Sequence, residues 1–321
     1  MKSKAISLYI VLFFLCSFSS RASFVLLPME AEGQQNHLKA YGITYWALDK
    51  SYKVSWLLNY RGGSFLLPDA PEIRKECQIR GVTFEVLSDA ATNTILEDIS
   101  SPSQNMETVV LEKAPKIAVY TPKGKQPWDD AVTMVLTYAE IPFTEVYDEE
   151  VLSDQLLLYD WLHLHHEDFT GQYGKFFGNY RSTPWYIQQK AEAEALAKKL
   201  GYTKVSEEKL AVAKKIRDFV IGGGFMFAMC SATDSFDIAL SAEGVDICEP
   251  MFDGDDSEAN YQSRIDYTST FAFKDYTLVR NPMVYEFSDI DTTEEHGKGA
   301  FSMDKDYFTL MEYSAKWDPI P

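Results

Sequence analysis

Along residues 37–48 the chain reads HLKAYGITYWAL, and Leu38, Tyr41, Tyr45 and Leu48 recur at helical spacing. The next run, KVSWLLN, predicts a buried strand, stopped by Arg61-Gly62-Gly63, and SFLLP is a second short apolar segment. Pro71 is placed to open a helix that runs to Arg80, and VTFEVLS reads as another strand. Residues 23–36 read as a polar lead-in. Residues 98–115, DISSPSQNMETVVLEKAP, read as a boundary with one apolar patch at 109–111.

Beyond Lys116 strands and helices alternate more regularly. KIAVYTP is a strand, and residues 128–140 form a helix with Val132, Val135, Leu136 and Ala139 on one face. FTEVYD and LLLYDWLHLHH read as two more strands, and residues 186–200 as a helix closed by Gly201. Ser206 is placed to cap the next helix, whose Leu210, Ala213, Ile216 and Phe219 face a core. Gly222 ends that helix, FMFAM is the fourth strand, and residues 232–240 are the helix after it. This alternation implies parallel β-α-β units with helices on both faces of a buried sheet. The tail after Met251 is acidic and then β-like, as in YFTLMEYSAKW, and no solenoid period is visible.

The first residues read as an export signal. Lys2 and Lys4 precede an uncharged apolar stretch at 5–18, shorter than the roughly 20 residues a membrane span needs, and Ser20-Arg21-Ala22 has the form of a cleavage site. The expected organisation is a signal peptide at 1–22, a small α/β module at 23–112 and a larger α/β domain at 113–321. The chain is then expected to be exported, periplasmic or secreted, with no membrane span after cleavage. Cleavage removes Lys2, Lys4 and Arg21 and takes the formal charge from −18 to −21, which leaves no basic stripe for nucleic acid. It also removes Cys16 and leaves Cys77, Cys230 and Cys248. An odd number of cysteines in an exported chain leaves at least one thiol unbridged within it, and Cys230 is the expected one.

Cys230 stands where the glycine-led run GGGFMFAM ends and a helix begins. A thiol there is either a nucleophile on a sharp turn or a small apolar filler. Three of the five histidines fall in HLHHEDF, where His163, His165, His166, Glu167 and Asp168 lie together at a strand end. On a strand His163 and His165 share a face and His166 points to the other. Such an end lies at the carboxyl edge of the sheet, where open α/β folds bind ligands. His165 or His166 is then a base for Cys230, with Glu167 or Asp168 orienting it. Alternatively, His163, His165 and Asp168 hold a divalent metal, the one cofactor the sequence raises, or the segment is a polar strand end whose histidines hydrogen-bond to nearby loops.

Other segments carry weaker chemistry. FDGDDSE, with Asp253, Asp255 and Asp256, is either a calcium loop without EF-hand spacing or an acidic solvated loop. The segment around Arg61 to Gly63 is either a plain turn at a strand end or an anion site, since Gly pairs expose backbone N–H groups. Tyr173, Phe177, Tyr180 and Trp185 either pack together or stack on a small-molecule, peptide or glycan ligand.

The segment IRDFVIGGGFMFAMCSATD resembles the nucleophile turn of the class I glutamine amidotransferase-like superfamily. The family's glycines two residues either side of the cysteine are Ala228 and Ala232 here, still small. KIAVYTPKGKQPWDDAVTMVLTYAEIPFTEVYD resembles that family's opening strand, loop and helix, so the likeness covers about residues 116–245. It implies a three-layer α/β/α sandwich with a mostly parallel sheet, joined to the small N-terminal module. It also implies amide or related hydrolysis through Cys230. Catalytic relatives carry a late His-x-Glu pair, whereas here only His296 follows Cys230 and Lys298 stands where the Glu would. The resemblance therefore implies a base from elsewhere, a non-catalytic binding or scaffolding protein, or a chain incomplete at its C-terminus. HLKAYGITYW, LLNYRGGSFLLP and YDWLHLHHEDFTGQYGKF resemble exported Bacteroidetes proteins labelled asparagine synthetase B. The N-terminal cysteine and pyrophosphate loop of genuine asparagine synthetase B are not visible in this chain.

Overall fold

Alternating apolar residues can serve two cores at once, and ASFVLL does so as β1 (Ala22–Leu27). The computed structural model describes residues 22–122, 131–172, 176–281 and 287–290. The expectation of a polar lead-in at 23–36 fails at its first residues, because β1 lies inside an antiparallel sheet. The strand order is β4-β1-β3-β2-β5, with β2 (Val54–Leu58), β3 (Ser64–Pro68), β4 (Glu85–Ser88) and β5 (Glu107–Leu111). Val25 and Leu27 pack with Ile43, Ala47, Ile73 and Cys77 of helices α1 (His37–Asp49) and α2 (Pro71–Arg80). Leu26 packs with Leu57, Leu66 and Ile99 on the opposite face.

Ile99 belongs to α3 (Asp89–Ser100), a helix missing from the expected element order. Its signal is short: Thr92, Ile95, Leu96 and Ile99 at helical spacing, and Ser88, whose Oγ accepts the Ala91 N–H at the first turn. The apolar patch at 109–111 is not in a boundary but in β5, paired with β2 from Val54↔Leu111 to Leu58↔Glu107.

These elements and Thr137–Ile141 group as one compact unit, and Pro115–Leu136 with the described residues from Pro142 onward groups as another. The second holds β6 (Ile117–Tyr120), α4 (Ala131–Ala139) as far as Leu136, β7 (Phe143–Val146), α5 (Asp148–Leu152) and β8 (Trp161–Leu164), the rest of α4 grouping with the first unit. It continues with α6 (Phe176–Tyr180), α7 (Pro184–Lys199), α8 (Val205–Ile221), β9 (Phe225–Ala228), α9 (Ser231–Ser241) and α10 (Pro250–Asp253). Its four strands are all parallel in the order β7-β6-β8-β9. One face carries Ala118, Tyr120, Leu162 and Leu164 against Val212, Ala213, Ile216 and Phe219 of α8 and Ala232, Phe236 and Leu240 of α9. On the other face of β9, Phe225 and Phe227 are 56% and 47% exposed. A strand covered on both sides, as the sequence pattern suggests, is therefore not what β9 shows. The protein is α/β, with one antiparallel sheet of five strands and one parallel sheet of four.

Three local expectations change. LLLYDWLHLHH is not one strand: a 3-10 turn at Gln155–Leu158 precedes β8, which stops at Leu164, so His165 and His166 lie beyond it. Ser206 is not a cap but lies inside α8, and Glu207 reaches back to accept the N–H groups of Thr203 and Lys204. The buried stripe of α8 runs through Val205, Lys209, Val212, Ala213 and Ile216, and Leu210 is only half-buried. Residues 1–21, Tyr173, His296 and YFTLMEYSAKW lie outside the described residues. Among those described, no helix is long and apolar enough to cross a membrane.

The three glycines before β9 have separate reasons. Gly222 caps α8, Gly223 adopts φ 101°, and a Cβ on Gly224 would stand 2.3 Å from the Phe219 ring. An L-residue at Gly223 must adopt a backbone that its Cβ opposes. Gly223→Ala is expected to lower stability by about 1–2 kcal/mol, read as a fall in the urea midpoint with unchanged slope.

Candidate functional site

At the carboxyl edge of the parallel sheet, β8 and β9 pair in register from Trp161↔Phe225 to Leu164↔Ala228, and the Met229 N–H donates to Leu164 O at 3.1 Å. Cys230 comes next, with φ 51° and ψ −141°, and α9 starts at Ser231. For a residue with a side chain this backbone is strained, at a cost of about 1–3 kcal/mol. The strain turns the chain sharply from strand to helix, and the Cys230 side chain is left exposed at the bend. Ala232 is fully buried on the inner side of the turn and Ala228 packs against the same core. The smallness that the sequence shows at both positions has this packing reason.

The turn is bonded to the histidine loop. Ala232 N–H donates to His165 O at 3.4 Å, Ser231 Oγ to His166 O at 2.9 Å and Ser235 Oγ to Glu167 O at 2.9 Å. Ser235 Oγ also accepts the Phe169 N–H at 3.4 Å. Four bonds thus fasten the start of α9 to residues 165–169. Cys230 and the histidines stand out in the sequence, but these serines do not; their signal is the small-residue spacing Ser231, Ala232 and Ser235 after the cysteine.

Within the loop, His165 and His166 meet Nδ1 to Nδ1 at 3.1 Å, with ring centres 4.7 Å apart. One of the two nitrogens must carry a proton and the other a lone pair. Both rings are half-buried. His163 is elsewhere: it is buried on β8, stacked on Phe227 at 5.4 Å and edge-on to Trp161 at 6.3 Å. Glu167 is buried and its Oε2 accepts the His165 backbone N–H at 2.8 Å. Asp168 Oδ1 accepts from the Thr170 N–H and hydroxyl at 2.7 and 2.6 Å. Through these bonds both carboxylates shape the loop itself.

The other sequence candidates separate further. Among the described residues, the His/Cys/Asp/Glu group with ligand atoms within 4.8 Å of one another is Asp246, Cys248 and Asp253, not His163, His165 and Asp168. Lys204 places its ammonium 2.6 Å from Asp246, 3.0 Å from Asp253 and 2.7 Å from Asp255, so the acidic loop already holds a cation from this chain. Cys248 donates its thiol to Thr170 O, and burial pushes its pKa well up. Burial likewise pushes the Cys77 thiol up to about 12. Arg61 is engaged by Glu30 and Glu85. Phe177 packs on Tyr186 and Phe252, and Tyr180 on Trp185.

No family model, curated protein or solved structure matches this chain. Replacing fully buried Ala232 with Leu overpacks the inner side of the turn. Ala232→Leu is expected to destabilise the protein by about 1–3 kcal/mol, read by equilibrium unfolding.

Proposed function

We propose that the chain is an exported, amidotransferase-like protein that hydrolyses an amide or related bond through Cys230. The observation that carries this reading is the strained strand-to-helix turn at Cys230, exposed and bonded to a loop with two histidines. Strain of this kind gathers at functional sites, and a sharp turn presents a nucleophile with its flanks cleared by small residues. Thiolate attack on an acyl carbon forms a thioester and expels the amine, which takes a proton from an imidazolium; water then releases the acid and restores the thiol. His165 or His166 is the base in this reading, and Glu167 and Asp168 are positioning residues that hold their loop. The four parallel strands and the small residues at 228 and 232 favour the class I glutamine amidotransferase-like architecture, with its three-layer sandwich, as the finer form of the fold. The substrate is a small molecule, peptide or glycan bearing an amide. Cleavage after Ala22 would remove the pair Ala22↔Ser88 and leave those from Phe24↔Pro68 to Leu27↔Phe65 intact, so most of β1 is compatible with export.

The thiols give a direct test. Cys77 and Cys248 are buried with pKa values raised by that burial, and Cys230 is exposed. Iodoacetamide at neutral pH, followed by peptide mass spectrometry, is expected to label Cys230 at least about tenfold faster than the other two, because thiolate fraction and access set the rate. Hydrolysis of a panel of amides and activated esters is expected to disappear in Cys230→Ala. Equal slow labelling of all three thiols, or turnover that survives the substitution, overturns the reading.

A further inference from the structure

At the carboxyl ends of β6 and β7 lies a buried ionic cluster that the Cys230 chemistry does not use. Tyr120, Asp148 and Glu208 are each no more than 1% exposed, Lys209 is 6% exposed, and Tyr147 is half-buried. The Lys209 ammonium lies 2.8 and 2.7 Å from the two Asp148 oxygens, 3.0 Å from Tyr120 Oη and 3.2 Å from Tyr147 Oη. Tyr120 also donates its hydroxyl to Asp148. Lys209 has three N–H donors, and these contacts take all of them.

Glu208 is the second carboxylate of the cluster, and it shares a hydrogen bond with Asp148. Lys209 on its own helix and Asp148 at the start of α5 face its carboxyl, and Tyr147 and Tyr120 feel its charge. Its Oε1 has no hydrogen-bond partner among the described residues. One ammonium balances one carboxylate, so a second charged carboxylate in this dry space has no counter-ion and a large desolvation cost.

We propose that Glu208 is a proton-operated latch: neutral, it lets α8 close over β6 and α5, and its ionisation loosens that packing. Burial first, only partly relieved by the charge of Lys209 and reinforced by the charge of Asp148 and a hydrogen bond shared with it, pushes the Glu208 pKa up to about 8, from 4.5 for an unperturbed glutamate. Between those values the folded state holds a proton that the unfolded chain has released. This group's contribution to stability is therefore whole below 4.5, falls as pH rises towards 8, and is level above it. The loosening reaches the histidine loop, because Tyr120 stacks on Phe169 at 5.3 Å and the Phe169 N–H is bonded to Ser235. None of this depends on the reactivity of Cys230.

The test compares urea unfolding of the full chain with that of Glu208→Gln from about pH 5 to about pH 9. The two are expected to unfold at similar urea near pH 5, and the variant to resist more urea near pH 9. A difference between them that does not change with pH overturns the proposal. Carbon-13 NMR of the glutamate-labelled wild type reads the same group without relying on a variant. One glutamate carboxyl is expected to titrate near pH 8. A spectrum in which every glutamate titrates below about pH 6 overturns it.

Discussion

The first turn of α9 is fastened to the loop after β8 by Ala232, Ser231 and Ser235, and the carboxyl edge of the parallel sheet is organised by that seam. The parallel pairing of β8 and β9 ends at Leu164 and Ala228, so the strands themselves do not fix the path of the chain beyond them. Side-chain hydroxyls and one backbone N–H take over, bonding to the carbonyls of three successive residues, 165 to 167. These bonds help offset the positive-φ backbone of Cys230, which costs about 1–3 kcal/mol and persists only where its surroundings over-determine it. The same seam keeps the half-buried histidine pair and the exposed thiol on adjoining strand ends.

A second constraint acts one strand away. Tyr120 ends β6 inside the apolar core shared by α8 and α9, and its hydroxyl belongs to the Lys209–Asp148 cluster. Breaking one partner of a buried ion pair costs several kcal/mol, whereas an apolar replacement of the whole pair need not. The cluster fixes how α8 and α5 meet, and Phe169 links it to the seam through Tyr120 and Phe236. Backbone strain at the turn and buried charge at the neighbouring strand end are thus held by one apolar layer.

Much of this layer was legible because it obeys simple periods. KIAVYTP, FTEVYD and FMFAM are apolar runs punctuated by turn residues, and they became three of the four parallel strands. Cys230 stood out because glycines preceded it and small residues flanked it. β1 was missed because it is only six residues long and abuts a leader-like sequence, and α3 because its apolar spacing spans only two turns. His163, His165 and His166 read as one cluster, yet β8 ends between the first and the other two, and that one-residue question of where a strand stops separates buried from half-buried. The ionic cluster left a trace too: Glu208 and Lys209 interrupt the apolar stripe of α8. Polar residues on a core face are a better pointer to buried chemistry than the acidic run at 253–256, where Lys204 supplies a cation from the chain itself.

The central claim is that the thiol and the histidine loop form one site rather than two neighbours. The rate at which iodoacetamide modifies Cys230 in a chain carrying both His165→Ala and His166→Ala tests it most directly. If an imidazole takes the thiol proton, that rate falls at least about tenfold at neutral pH while the urea midpoint stays near that of the parent. An unchanged rate in a folded variant would contradict the account and leave Cys230 as an exposed thiol on a strained turn.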